Sequence, residues 1–179
     1  MWRCRSGKIS NELFNVVANL NVKYFAIACN TLHAFIKENF PLEKCIHLPN
    51  ETKKNLKSVP LVICSKTSKE KLIHAKFFPC HYVDIERQSF LDKVIDLTLE
   101  GKFDGALSKQ IECFLIQYLK EIEQQDSQIV LGCTEFSLIH RRYPLAGLNI
   151  VDPSYITAKK LSQNILGEKN EFVRNCSYI

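Results

Sequence analysis

Glycine is scarce in this sequence. There are 6 Gly among 179 residues, and Gly7 alone precedes Cys29. No group of closely spaced glycines forms the loop with which nucleotide-dependent and pyridoxal-phosphate enzymes hold a phosphate. We therefore expect a protein that works without a cofactor.

Closely spaced cysteines are also absent. None of the 8 Cys belongs to a Cys-x-x-Cys pair, which argues against a zinc ribbon and against a redox-active dithiol. No other spacing of metal-binding side chains is apparent, so we expect no metal. The thiols are then expected to be reduced, as in cytoplasmic proteins.

Long apolar runs and dense basic runs are missing too. No apolar segment approaches the roughly 20 residues of a membrane span, and the basic start of the chain continues into Ser10, Asn11 and Glu12 rather than into the apolar core of a signal peptide. The formal net charge is +5, but the 24 Lys and Arg are scattered. We expect a cytoplasmic protein with no membrane or nucleic-acid partner, whose positive surface mildly favours dianionic ligands.

The pattern of apolar residues predicts an α/β fold. Short apolar segments, typical of buried parallel strands, alternate with segments of helical periodicity. Strands are predicted at 24–28, 45–48, 61–64, 81–83, 129–132 and 149–151. Helices are predicted at 10–20, 30–39, 86–100, 106–124 and 154–166, with another capped by Ser68 and running to Phe77, whereas 49–58 is predicted to be a polar crossing.

One local arrangement occurs twice. Cys29 follows an apolar strand and precedes Asn30, Thr31 and a predicted helix, and Cys133 follows another such strand and precedes Thr134 and a helix. Ligands of open α/β sheets bind at the carboxyl ends of strands. Two such elements, far apart in sequence, indicate two similar lobes that face each other across a cleft.

The two signatures resemble those of a known family. Cys29-Asn30-Thr31-x-His33 and Gly132-Cys133-Thr134-Glu135 are similar to the paired signatures of the aspartate/glutamate racemases, which are cofactor-independent, and His33 is typical of the aspartate racemase branch. Val151-Asp152-Pro153-Ser154 resembles a stretch late in those chains. The similarity covers most of residues 10–166.

The resemblance implies a domain organisation. The first lobe would comprise 1–50 with 148–179, because the closing strand and helix return to it, and the second lobe would comprise 55–142. The first lobe would be truncated, since the family's N-terminal strand, its Gly-Gly-x-Gly-Pro loop and an early carboxylate-binding arginine have no counterpart here. A family lysine expected just before Gly101 is also absent. A partner chain, such as a second copy in a homodimer, would cover the exposed edges, or the chain is a truncated product.

The resemblance also implies a reaction and a set of site residues. Racemisation needs a base on one face of the Cα carbon and an acid on the other, and Cys29 and Cys133 would be this pair. Helix N-termini would lower the pKa of both thiols. Side chains that would bind the substrate or support the thiols are Asn30, Thr31, Ser65, Thr67 and Thr134, with His33 and Glu135 in supporting positions. Aspartate is the first expected substrate.

Each residue also has a purely structural interpretation. A cysteine at the end of a buried strand is most often a small apolar side chain, which we expect of Cys64, and threonines before helices are often only caps. Two other functions remain open. One is a related two-cysteine enzyme, such as a hydantoin racemase or a maleate isomerase, and the other is an inactive racemase-fold protein that acts in binding or interaction.

Overall fold

The larger of the two sheets holds the core of the molecule. In a computed structural model, which describes Glu12, Asn15, Val16, Asn19, 22–33 and 43–166, four parallel strands form this sheet in the order β4-β3-β5-β6. They are β3 (Leu61–Ile63), β4 (His81–Tyr82), β5 (Ile129–Leu131) and β6 (Ile150–Val151). Every residue of β3 and β5 is buried, as the uninterrupted apolar runs predicted.

The smaller sheet pairs β1 (Phe25–Ala26) with β2 (Cys45–Ile46), also in parallel. Tyr24 to Ala28 were expected to form a buried strand, but Phe25 and Ala26 are half-buried and Ala28 is exposed. The described part of this sheet has two strands, so β1 has less neighbouring structure to bury it than β3 or β5 has.

Helices surround both sheets. They are α1 (Asn30–His33), α2 (Leu48–Lys54), α3 (Lys66–Glu70), α4 (Ile85–Leu99), α5 (Gly105–Glu121), α6 (Thr134–Arg142) and α7 (Pro153–Leu166), with a 3₁₀ turn at His74–Lys76. The carboxylates of Asp84 and Asp104 accept hydrogen bonds from the first-turn amides of α4 and α5, which satisfies amides that a helix leaves unpaired. Gly101, with φ of 73°, ends α4 in the left-handed conformation that glycine adopts without strain. The fold is therefore α/β, with parallel sheets flanked by helices, as predicted.

Three local expectations were wrong. Ser65, not Ser68, caps α3, because the Ser65 side chain accepts from the amide of Ser68. This helix ends at Glu70 rather than continuing to Phe77, since Leu72 has φ of 49°. The predicted polar crossing at 49–58 contains α2, which tolerates Pro49 because proline fits the first turn of a helix.

The closing strand also differs from expectation. We predicted that strand and helix both return to the first lobe, but β6 pairs with β5 in the larger sheet. Helix α7 alone reaches β1, β2 and α2. An apolar segment predicts a strand without naming its neighbour, which explains the difference. The lobe boundaries themselves stay a prediction.

Several expectations lie outside the described residues. They include most of the helix predicted over 10–20, the stop of the first helix at Pro41 and the tail beyond 167. Within the described ranges, no helix is both long and apolar enough to cross a membrane.

Candidate functional site

Part of the predicted site follows two neighbouring strands of the larger sheet, with Ser65 and Thr67 after β3 and Cys133 to Glu135 after β5. Ile63 pairs with Leu131 in the parallel ladder. Continuing that register by two residues places Ser65 at the level of Cys133. The segments after β3 and β5 therefore leave the sheet side by side, which is where ligands bind in folds of this type.

Cys133 is held by the residue two positions after it. Its thiol donates a hydrogen bond to Oε2 of Glu135, with 2.7 Å between Sγ and the oxygen. The Thr134 hydroxyl donates to the same oxygen at 3.3 Å. The first turn of α6 thus joins three of the predicted site residues around one carboxylate.

This arrangement changes the expected ionisation of the thiol. We predicted that the N-terminus of α6 lowers the pKa of Cys133, but the pKa is raised well above its usual value, first by burial and then by the negative charge of Glu135. Both effects disfavour the thiolate. Cys133 is therefore protonated at neutral pH, with its proton directed toward Glu135.

The turn that carries Cys29 is closed by a histidine. Nε2 of His33 lies 3.1 Å from the carbonyl oxygen of Ile27, a contact that spans the intervening Cys29, Asn30 and Thr31. Cys29 is half-buried in a small apolar cluster with Ile27. Burial lowers the pKa of His33 to about 4, so its imidazole is neutral at neutral pH.

Asn30 turns its side chain into the protein. It is 4% exposed, and its Nδ2 finds no hydrogen-bond partner among the described residues. A buried amide donor without a partner is costly unless a ligand or water accepts from it. A ligand that accepts from Nδ2 would satisfy this donor, and the role of Asn30 in substrate binding stays a prediction.

One hydrogen bond joins the turn after Cys29 to the helix α3 that follows β3. The hydroxyls of Thr31 and Ser68 lie 2.9 Å apart, with either atom able to donate. Ser68 is 1% exposed and also bonds Ser65, whose hydroxyl donates to it at 3.1 Å. The turn after Cys29 is thereby fixed against the segment that lies beside the Cys133 strand.

Of the predicted residues Ser65 and Thr67, only Ser65 lies at the contact between Thr31 and Ser68. Ser65 caps α3 and contacts Ser68, whereas Thr67 is exposed and its side chain makes no hydrogen bond with the described residues. Ser68 makes the contact instead. Sequence reasoning missed it, although Ser65 and Ser68 are three positions apart, the spacing at which a cap and a first-turn residue meet.

The Val151-Asp152-Pro153-Ser154 stretch anchors α6 to α7. The buried Asp152 carboxylate accepts through Oδ1 from the hydroxyl of Ser137 and from the amides of Ser154 and Tyr155. Ser137 lies one helical turn after Cys133 on α6. Asp152 is therefore a helix cap whose side chain also fixes the helix that begins at the candidate thiol.

Cys64 has the structural role that was expected of it. It is 1% exposed in the apolar cluster on one face of the larger sheet, and burial raises its pKa to about 12. In the part of the chain that the structure describes, no group of three or more His, Cys, Asp and Glu side chains is placed to hold a metal ion.

Comparisons with known proteins lead to one kind of enzyme. No protein-family model matches the chain. The glutamate racemase of Aquifex aeolicus (strain VF5) is 25% identical over 176 residues, which cover 90% of this chain and 66% of that protein. The chain thus spans about two thirds of this relative's length.

One solved structure of a glutamate racemase has a similar fold. The glutamate racemase from Thermus thermophilus, solved in complex with Beta-chloro-D-alanine, superposes with a TM-score of 0.63 at 15% identity, over 91% of this chain and 63% of that one. Glutamate racemase isoform RacE1 from Bacillus anthracis gives a TM-score of 0.48 at 18% identity, over 92% of this chain and 65% of that one.

Proposed function

We propose that this chain, which is similar in sequence to a glutamate racemase, is a cofactor-independent racemase of an acidic amino acid, with Cys29 and Cys133 as the two proton-transferring thiols. The observation that carries this proposal is the Thr31–Ser68 hydrogen bond, with 2.9 Å between the hydroxyl oxygens. It holds the turn of Cys29 against the segment beside the strand of Cys133, as a reaction between two facing thiols requires.

In the proposed reaction, one thiolate removes the Cα proton of the substrate. The electron pair of the broken C–H bond remains on the carbanion, and the opposite thiol donates its proton to the other face. Glu135 assists Cys133 because its carboxylate accepts the thiol proton at 2.7 Å. Cys133 becomes a base when that proton passes to Glu135 and an acid when it keeps it.

Recognition of the substrate falls to the surrounding donors. Asn30 has a free buried amide donor, and Thr31, Ser65, Ser68 and Thr134 provide hydroxyls near the two thiols. Thr67 would contribute through a movement of the α3 segment. His33 in the first signature favours aspartate as the substrate, and the Aquifex relative favours glutamate, so both amino acids are tested.

Hydrogen exchange at Cα tests the proposal. Wild-type protein in deuterated buffer should incorporate deuterium from solvent into both enantiomers of aspartate or glutamate and interconvert them. Cys29→Ser and Cys133→Ser should each abolish interconversion, while each retains exchange of one enantiomer through the remaining thiol. Cys64→Ser is the matched control, since that thiol lies in the apolar core, and it should retain interconversion.

Two results would reject the proposal. One is equal activity of wild type and the Cys29→Ser/Cys133→Ser double variant. The other is folded wild-type protein that exchanges no Cα hydrogen of either amino acid, which would favour a racemase fold used for binding.

A further inference from the structure

We propose that His47 is a positioning residue of the candidate site, which through His33 holds the Cys29 turn against the second lobe and releases it in acid. This inference rests on the proposed function for its meaning, but not for its test. His47 belongs to neither signature, and the sequence alone gave no reason to select it.

The geometry places two imidazoles at the ends of β1 and β2. Phe25 pairs with Cys45 and Ala26 with Ile46, so the next step of this register places His47 beside Ile27. The ring of His33, which bonds the Ile27 carbonyl, lies edge-on to the ring of His47 with 4.5 Å between centroids. The two side chains, here called the His33–His47 pair, thus close the carboxyl ends of both strands.

The pair also reaches the second lobe. The centroid of the His47 ring is 5.3 Å from that of Phe77, and Phe77 packs against the apolar cluster that contains Cys64. With Thr31 on Ser68, the Cys29 turn therefore has two attachments to the second lobe. One is a hydrogen bond between hydroxyls, and the other is a row of three rings, in which His47 meets His33 edge-on and Phe77 at a tilt.

Protonation opposes this packing. Nδ1 of His33 and Nδ1 of His47 are both buried without a hydrogen-bond partner among the described residues, so a second ring proton would point into the interior unpaired. Two imidazolium ions at this separation would also repel each other. Burial lowers the pKa of both residues, and that of His33 falls to about 4, with His47 as the second cause.

The ionisable groups on the surrounding elements do not compensate. They are the thiols of Cys29 and Cys45, the Glu51–Lys54 ion pair on α2, His74 and Lys76 beside Phe77, and Lys159 and Lys160 on α7. No carboxylate of the described residues contributes to the pKa of either ring. An opened pair regains an ordinary pKa near 6.5, so between pH 6.5 and 4 acid favours opening. At pH 5 the protonation of His33 alone shifts the equilibrium between the closed and the opened pair about 30-fold toward opening.

Thiol labelling tests the inference without any enzyme assay. A dithiodipyridine reagent, which modifies thiols in acid, is applied between pH 7 and 4.5, and the labelled cysteines are identified by peptide mass spectrometry. Relative to the exposed Cys113, labelling of Cys29 and Cys45 should rise at least tenfold as the pH falls. The fully buried Cys64 should stay protected, which shows that the second lobe remains folded.

Variants assign the effect to the pair. His47→Phe keeps an aromatic ring but cannot be protonated, and should reduce the acid-dependent rise. The double variant His33→Gln/His47→Phe keeps a donor for the Ile27 carbonyl and should abolish the rise. His81→Phe, which replaces an exposed histidine, is the control and should behave as wild type.

Three results would overturn the proposal. The labelling of Cys29 could be independent of pH, the double variant could retain the full rise, or Cys64 could be labelled together with Cys29 at every pH. If the labelling behaves as expected and no racemisation is found, the positioning of the turn stands and the proposed reaction fails.

Discussion

The thiol of Cys133 donates a hydrogen bond to the carboxylate of Glu135 across 2.7 Å. Two residues separated by a single position in the sequence therefore form a proton-sharing pair at the start of α6. Burial and the charge of Glu135 together raise the pKa of Cys133. The pair keeps the thiol protonated in the resting protein while placing a proton acceptor beside it.

Replacement of Glu135 should make Cys133 more acidic. Glu135→Gln removes the negative charge but keeps a side chain of the same shape, so the pKa of Cys133 should fall, and burial should still hold it above that of a free thiol. The measurement is the rate of Cys133 alkylation by iodoacetamide as a function of pH.

Glu100→Gln is the control for this measurement, because Glu100 pairs with Lys102 on the surface. An unchanged pH profile for Cys133 in Glu135→Gln would contradict the contact between Cys133 and Glu135. If the racemase proposal is correct, Glu135→Gln should also slow the half-reaction that uses Cys133 as base, by roughly 100-fold or more.

Gly132 should tolerate no side chain. A Cβ atom there would lie 2.7 Å from Cγ1 of Val62 and 2.8 Å from Nε2 of His74, and both neighbours are buried. Gly132→Ala should therefore destabilise the protein by about 1–3 kcal/mol, measured by urea unfolding.

Gly105→Ala is the matched control. Its Cβ would meet Tyr143 at an ordinary 3.5 Å, at the first residue of α5, where alanine favours the helix. It should be neutral or stabilising. Equal stability of the Gly132→Ala and wild-type proteins would mean that β5 and His74 are less closely packed than the structure indicates.

Elements with strong local signals were predicted correctly. The strands Leu61–Ile63 and Ile129–Leu131 are uninterrupted apolar runs, and the helices Ile85–Leu99 and Gly105–Glu121 repeat their apolar residues at helical spacing and begin after an aspartate. In these segments burial, periodicity and capping favour the same structure, so the sequence was sufficient.

Features that depend on long-range contacts could not be predicted from the sequence. The partner of β6 depends on how sheets assemble, and the pKa of Cys133 depends on burial, neither of which a local pattern contains. The contact between Thr31 and Ser68 joins residues of two predicted lobes. Capping preference could not decide between Ser65 and Ser68, because either serine can cap a helix.

Acid should destabilise the protein before its carboxylates titrate. Burial lowers the pKa of His33 and of His74 to about 4, against about 6.5 in an unfolded chain. The unfolded state therefore binds more protons between pH 4 and 6.5. The resulting stability is fully present above about pH 6.5 and is lost as the pH falls toward 4, by at most about 3 kcal/mol for each histidine.

Urea unfolding at several pH values measures this loss. Between pH 6.5 and 4, His74→Gln should make the free energy of unfolding less dependent on pH. His81→Gln, at an exposed position, should leave that dependence unchanged. A free energy of unfolding that is constant over this range would show that the two histidines are protonated equally in the folded and unfolded states.

The Thr31–Ser68 hydrogen bond should couple the two residues energetically. Among the described residues, no other hydrogen bond joins side chains of α1 and α3. In a double-mutant cycle of Thr31→Val and Ser68→Ala, the coupling free energy should be about 0.5–1.5 kcal/mol, the usual net value of such a bond. The cycle is measured by urea unfolding at pH 7.

Thr67→Val in place of Ser68→Ala gives the control cycle, because Thr67 is exposed beside Ser68, and its coupling to Thr31 should be close to zero. Coupling of the same size in both cycles would mean that Thr31 senses α3 as a whole, and the attachment of the Cys29 turn would not depend on this one hydroxyl pair.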